Sequence, residues 1–225
     1  MRMRRLSTNA LVPFLGLILM AFGSRAVLAH GESAKQLVQA AARAVASAKS
    51  IRLSGSVPVS GGTEIIDFVM FSNGDLEGSL TLMGDLVHIT IVNGTDYYQA
   101  PPTYWQKVGG LPATLAKQIA PDWISTPTSS SAGTGDSFQI APLASQIDST
   151  TTGLTIVGHK KVDGHAAVGV RSSNGSVLWI ATTGTPYPIS EVQQGKSGNL
   201  SFSGWNSFRS PTAPKGAIPL SSLRS

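Results

Sequence analysis

Residues 65–92 read IIDFVMFSNGDLEGSLTLMGDLVHITIV, three apolar segments separated by two short polar turns. The first segment is apolar on both faces apart from Asp67, and the last is interrupted by His88 and Thr90 alone. The middle segment, 76–82, alternates strictly between apolar and small or polar residues, as a half-buried strand does. Segments of this length between turn residues predict antiparallel strands joined by hairpins.

The same hairpin pattern extends in both directions from this stretch. Asn-Gly at 73–74, at 93–94 and again at 174–175 favours the tight turn that joins twisted antiparallel strands. Residues 51–59 alternate before the stretch, and a second meander follows at 153–205. A division into two domains at 126–137 would leave each half with only a few strands and little to cover them. We therefore predict one continuous antiparallel sheet with helices on one side.

Three helices and two irregular regions complete the prediction. Residues 32–49 are alanine-rich with apolar residues at helical spacing, and 112–119 and 138–147 are short helical candidates. Residues 126–137 are rich in Ser, Thr and Gly and predict a mobile loop. The prolines and absent periodicity of 211–225 predict an irregular tail after a domain that spans 30–210.

The N-terminus has the composition of a secretory signal peptide. Three arginines precede an apolar stretch at 10–22, and small residues before His30 predict cleavage after Ala29. An uncleaved anchor is the alternative. Removing 1–29 removes four of the 17 basic side chains and none of the 12 acids, so the mature charge is 13 − 12 = +1. A charge this low argues against a nucleic-acid partner, which needs a dense basic surface.

The chain contains no cysteine. An exported domain of this composition has no disulfide and must be stabilised by its core. A thioether-linked lipid anchor is also excluded, and His30 stands where such a protein carries its first mature residue. We expect a secreted or extracytoplasmic protein that contacts membranes transiently, if it contacts them.

Side chains that carry chemistry are sparse. No Gly-x-Ser-x-Gly motif and no phosphate-binding glycine loop are present, and a thiol nucleophile is impossible. If Asp163-Gly164 is a two-residue turn, Val162 is opposite His165 and His159 is opposite Val168, so the two histidines do not form a metal pair. Most aspartates, Asp96 among them, are accounted for as turn residues. The sequence predicts neither an enzyme nor a cofactor site.

The apolar strands of 65–92 need cover on both faces of the sheet, and the alanine-rich first helix offers little. Either the sheet curls and its own side chains fill the interior, or a cavity remains that would attract an acyl chain, since apolar burial is worth about 25 cal/mol per Å². Aromatic residues with a polar tip suit the mouth of such a cavity and suit a core edge equally well. Those near the first meander are Tyr97, Tyr98, Tyr104, Trp105 and Trp123.

Several segments together resemble the LppX/LprG-type lipoproteins of actinobacteria and, more distantly, the LolA and LolB lipoprotein carriers. They are 51–57 (IRLSGSV), 93–98 (NGTDYY) followed by Tyr104-Trp105, 161–168 (KVDGHAAV), 177–189 (VLWIATTGTPYPI) and 198–205 (GNLSFSGW). The resemblance implies an α+β, mostly β fold: a strongly curved antiparallel sheet forming a half-open barrel with helices as a lid. It also implies a cavity that holds lipid or lipoprotein acyl chains, with an envelope transport partner. The missing lipidation cysteine departs from the family pattern.

We therefore predict a non-enzymatic carrier of lipid or acyl chains. The alternative is an extracytoplasmic interaction or sensor module on the same scaffold, with its function in loops such as 100–110 and 126–137. The predicted cavity lining comprises Phe68, Met70, Leu80, Leu82, Val87, Ile89, Ile91, Tyr97, Trp105, Trp123, Trp179 and Ile180.

Overall fold

The computed structural model describes residues 33–59, 62–128, 138–150, 152–193 and 198–224. The predicted signal peptide, His30 and most of the predicted mobile loop lie outside the described residues. In chain order the elements are α1 (Ala34–Ala46), β1 (Ser50–Val59), β2 (Gly62–Phe71), β3 (Leu76–Leu82), β4 (Asp85–Val92), β5 (Thr95–Gln99), α2 (Pro102–Lys107), α3 (Ala113–Ile119), β6 (Ile124–Pro127), α4 (Ile140–Ser149), β7 (Thr155–Val162), β8 (His165–Arg171), β9 (Val177–Ala181), β10 (Pro188–Val192), β11 (Asn199–Ser203), β12 (Ile218–Pro219) and a 3₁₀ helix (Leu220–Arg224).

The strands form one twelve-stranded sheet in the order β12-β6-β5-β4-β3-β2-β1-β11-β10-β9-β8-β7. All pairings are antiparallel except that of β12 with β6. The two meanders join where β1 pairs with β11, with Leu53 opposite Phe202. The sheet ends at β12 and β7 and does not close on itself. The mostly-β prediction with a single continuous sheet is confirmed.

Two glycines within strands let this sheet curve. Gly55 in β1 and Gly78 in β3 have φ of 148° and 151°, values that residues with a Cβ rarely adopt. A Cβ at Gly78 would lie 2.0 Å from the carbonyl oxygen of Asp67 on β2. Glycine at such positions allows close backbone approach and a sharp bend, which is how a wide sheet curls around a core.

Helices α1 and α4 cover the concave face of the sheet. α1 begins with a capping box in which Ser33 and Gln36 bond each other's backbone amides. Its apolar side, with Val38 and Val45, packs in the same core as Ile140 of α4 and the buried strand residues. The apolar sides of the helices and one face of the sheet bury each other. This confirms the predicted placement of helices on one side.

Three elements differ from the sequence-based expectation. Residues 102–107 form α2 where a loop was expected, and 124–127 form β6. The tail is not irregular throughout, because Ile218 pairs with Ile124 and the following residues form the 3₁₀ helix. Leu220 and Leu223 pack against the core, so burial of these apolar residues orders a segment that has no periodicity.

A buried carboxylate holds the β5–β6 edge together. Asp96 is fully buried and accepts hydrogen bonds from the hydroxyls of Tyr98 and Thr128. Its interpretation as a turn residue was wrong, because it lies inside β5 opposite Ile91. Asp96→Ala removes the carboxylate that accepts from the Tyr98 and Thr128 hydroxyls and is expected to lower the free energy of unfolding by about 2 kcal/mol. Urea denaturation followed by tryptophan fluorescence measures this loss. Tyr98→Phe, which removes one donor, should cost about half as much; equal stability of Asp96→Ala and wild type would contradict the assignment.

Candidate ligand-binding site

Strand register divides the sheet into two faces, because directly paired residues point to the same side. Phe68 pairs with Gly78, which pairs with Ile89, and Ile89 pairs with Tyr98. We call the face that carries this row, and that α1 and α4 cover, the inner face. Residues one position along each strand, such as Val69, belong to the outer face.

Most of the predicted lining residues lie on the inner face or in the core beneath the helices. Phe68, Val87, Ile89 and Ile180 are among the most completely buried side chains in the described residues. The full inner set comprises Phe68, Met70, Leu80, Leu82, Val87, Ile89, Ile91 and Ile180 on strands and Trp105 on α2. Nine of the twelve predicted residues therefore lie on the covered side of the sheet, and their role as a cavity lining stays a prediction.

Three predicted aromatic residues lie on the outer face instead. Tyr97 pairs with Thr90, one position away from the inner Tyr98. Trp179 pairs with Gly169, and the ammonium of Lys160 lies 4.0 Å from the centre of its ring. Adjacent strand residues point to opposite faces, so Trp179 and Ile180 cannot both line one cavity.

Trp123, the third of these, lines an open hollow of about 390 Å³ on the outer face. The bidentate ion pair of Arg52 with Asp67, with N–O distances of 2.7 and 2.6 Å, forms part of its floor. The hydrogen bond from Arg52 holds the pKa of Asp67 below its usual value. Both side chains are nearly half exposed, so this pair contributes little to stability.

One end of the inner face is incompletely covered. It is the end at which the β1–β2, β3–β4 and β10–β11 hairpins turn, and we call it the open end. Its apolar inner residues are half-buried, whereas those nearer the helices are buried. The half-buried set comprises Val57, Leu82, Leu178 and Leu200. Ligand sites are concave and lined mainly by apolar side chains, so we take the open end as the candidate ligand site.

Three carboxyl groups lie among these apolar residues, and one of them, that of Asp85 opposite Leu82, contacts Thr103 and Lys107. Glu191 pairs with Leu178 on one side and Leu200 on the other, which places it on the inner face. Glu64 pairs with Val57 and shares that face. Burial raises the pKa of both glutamates. Neither has a hydrogen-bond or ion-pair partner among the described residues. Turn signals in the sequence offered no means of identifying Glu64 and Glu191 as unpartnered, because their isolation depends on which strands become neighbours.

Helix α2 forms a side wall of the open end. It follows β5 and is attached to the β3–β4 turn by Thr103 and Lys107, which both contact the carboxylate of Asp85. Burial raises the pKa of Tyr104 to about 12. The ring of Trp105 packs edge-on against Tyr104 with centroids 5.3 Å apart. The indole Nε1 of Trp105 is buried and has no hydrogen-bond acceptor in the described part of the chain.

Other site types find little support in the described part of the chain. No group of three or more His, Asp or Glu side chains there is arranged to hold a metal ion. As the turn geometry predicted, His165 is opposite Val162 and His159 is opposite Val168. None of the described helices has the length and apolar composition that crossing a bilayer requires.

A twelve-stranded curved and unclosed sheet with helices over its concave face defines the class of half-barrel folds with a helical lid. The chain is similar in architecture to LprF from Mycobacterium bovis. The TM-score is 0.55 and the sequence identity 16%, and the match covers 82% of this chain and 97% of LprF. The Mycobacterium tuberculosis lipoprotein LppX gives 0.49 at 15% identity, over 77% and 94% of the two chains. No family model and no curated protein matches the sequence. The resemblance to LppX/LprG-type proteins is therefore confirmed as a resemblance of fold.

Proposed function

We propose that this protein binds the acyl chain of a lipid on the inner face of its sheet, entering at the open end, and carries it outside the cytoplasm. The observation that carries the proposal is the set of half-buried apolar side chains at the open end, including Leu82 and Leu200, which the helices do not cover. An acyl chain laid on these residues gains about 0.8 kcal/mol for each methylene removed from water.

The open sheet supports this proposal. Its edge strands β12 and β7 do not pair with each other, so binding on the inner face requires no separation of paired strands. The side chains nearer α1 and α4, such as Phe68 and Ile51, are fully buried and hold the scaffold rigid. A binding surface that is already ordered loses less conformational entropy when the ligand binds.

Exposed apolar residues favour the second candidate, an interaction module on the same scaffold. Ile65 and Leu86 lie on the outer face near the open end, Met83 lies in the β3–β4 turn, and the three are 53%, 51% and 63% exposed. Such residues mark contact surfaces on soluble proteins when they occur together. This rim is equally suited to a protein that delivers or receives the ligand.

Lipid extraction of the purified mature protein followed by mass spectrometry tests the proposal. We expect co-purifying lipid near one equivalent, or saturable uptake of a fluorescent fatty-acid ester by the delipidated protein. A protein that is lipid-free and takes up no such probe would remove the carrier function and leave the interaction module. A non-binding β-rich protein purified in parallel controls for lipid carried over from the cells.

A further inference from the structure

We propose that the open end selects the polar end of its ligand, and that Glu191 receives a hydrogen-bond donor there, so the ligand is a neutral, hydroxyl-bearing amphiphile. This inference rests on the proposed function and specifies its ligand class. A free fatty acid or another amphiphile with an anionic head group is the kind of ligand that the site disfavours.

The position of Glu191 in the sheet is the first observation. It lies in a cross-strand row whose other members are Val170, Leu178, Leu200 and Gly55, all of them without a polar side chain. β10 is an interior strand with a neighbour on each side, so the backbone holds this side chain over the apolar surface. A carboxyl in such a row is costly unless something hydrogen-bonds it.

Glu191 also lacks a hydrogen-bond partner among the described residues. No described residue donates to Glu191, and burial raises its pKa. A strand could carry leucine at this position at no cost in packing with Leu178 and Leu200. A desolvated titratable group without a protein partner is a candidate functional residue. A hydroxyl donated by a ligand supplies the missing partner.

Trp105 provides an independent second observation. Its indole Nε1 is a donor without an acceptor among the described residues, and the residue is 5% exposed. It lies on α2, which Asp85 attaches to the β3–β4 turn at the same end of the sheet as Glu191. Strand β4 is five places from β10 in the sheet, so a ligand that meets both groups has to extend across the open end. Hydroxyl groups both donate and accept, whereas an ionised carboxylate or phosphate only accepts and would place a second negative charge near Glu191.

Competition between two probes with the same tail tests this selection. Monoolein has a glycerol head with free hydroxyls, and oleate has a carboxylate. We expect the delipidated mature protein to prefer monoolein at neutral pH by roughly tenfold, the effect of one hydrogen bond to a charged group.

Glu191→Leu should lose this preference, with weaker monoolein and tighter oleate binding. Glu191→Gln should keep most monoolein binding, because the amide oxygen still accepts, while oleate binding improves. Trp105→Phe should weaken the binding of monoolein several-fold and leave the affinity for an alkane probe unchanged.

Glu77→Leu is the matched control, since Glu77 lies on the outer face opposite Thr90 and should leave both affinities unchanged. Equal binding of the two probes by wild type, or an unchanged preference in Glu191→Leu, would overturn the inference. If circular dichroism shows that Glu191→Leu does not fold, Glu191→Gln takes its place in the test. Oleate binding by Glu191→Gln that is no tighter than that of wild type would then overturn the inference. A pyrene-labelled alkane separates the two proposals: binding without head-group preference removes this inference alone, whereas no binding of any of the three probes removes the proposed function.

Discussion

Phe68→Ala is expected to lower the free energy of unfolding by about 4 kcal/mol. The Phe68 ring is fully buried on the inner face and packs over Gly78, whose missing side chain leaves the space that the ring fills. On its other side the ring lies 4.7 Å from that of Phe138, just before α4. Truncation therefore opens a cavity between the sheet and its cover. Gly78 has no side chain with which to close it.

Urea denaturation measures this loss, with wild type and variants fitted to one common m-value, the slope of the unfolding free energy against urea concentration. The matched control is Val69→Ala on the next residue of β2, which is half-buried on the outer face and borders the open hollow there. It is expected to cost about 1 kcal/mol, because solvent already reaches this site and little cavity forms. Similar losses from the two substitutions would show that both faces of β2 are equally packed and that the assignment of the inner face is wrong.

Leu82→Trp is expected to reduce uptake of acyl-chain probes by at least about tenfold while the protein stays folded. Leu82 is half-buried at the end of β3, next to the β3–β4 turn, where the inner face is incompletely covered. An indole at this position occupies the space that an acyl chain would need to enter. Because the site borders solvent, the larger side chain does not strain the core. The stability change should therefore remain below about 1 kcal/mol.

Fluorescent-lipid titration gives the affinity, and thermal unfolding of the same sample reports stability. Thr81→Trp controls for the added indole, because Thr81 is the preceding residue and points to the outer face opposite Leu86. It should bind the probe like wild type. Unchanged uptake by Leu82→Trp would exclude entry at the open end. Loss of uptake in both variants would indicate a change in β3 as a whole.

Local chemistry accounts for the part of the fold that the sequence predicts well. Asp163-Gly164 is the turn expected, and the pairing of Val162 with His165 follows from it directly. Strict alternation in 76–82 correctly separates the inner Leu80 from the outer Ser79. Where both faces are apolar or aromatic, alternation carries less information. Tyr97 and Trp179 were therefore assigned to the inner face on residue type, and the register of their strands places them outside.

By itself, the sequence determined the strands, the hairpin turns and the helix that begins at Ser33, because turn residues, capping residues and residue periodicity act over a few neighbours along the chain. Tertiary structure decided the rest. The pairings of β10 with β9 and with β11 place Leu178 and Leu200 on either side of Glu191. The pairing of β1 with β11, which joins residues about 150 positions apart, extends this row to Gly55. The same long-range packing orders 218–224 and leaves the apolar residues at one end of the concave face only half-buried, because their cover depends on where the helices lie and no local pattern encodes that position.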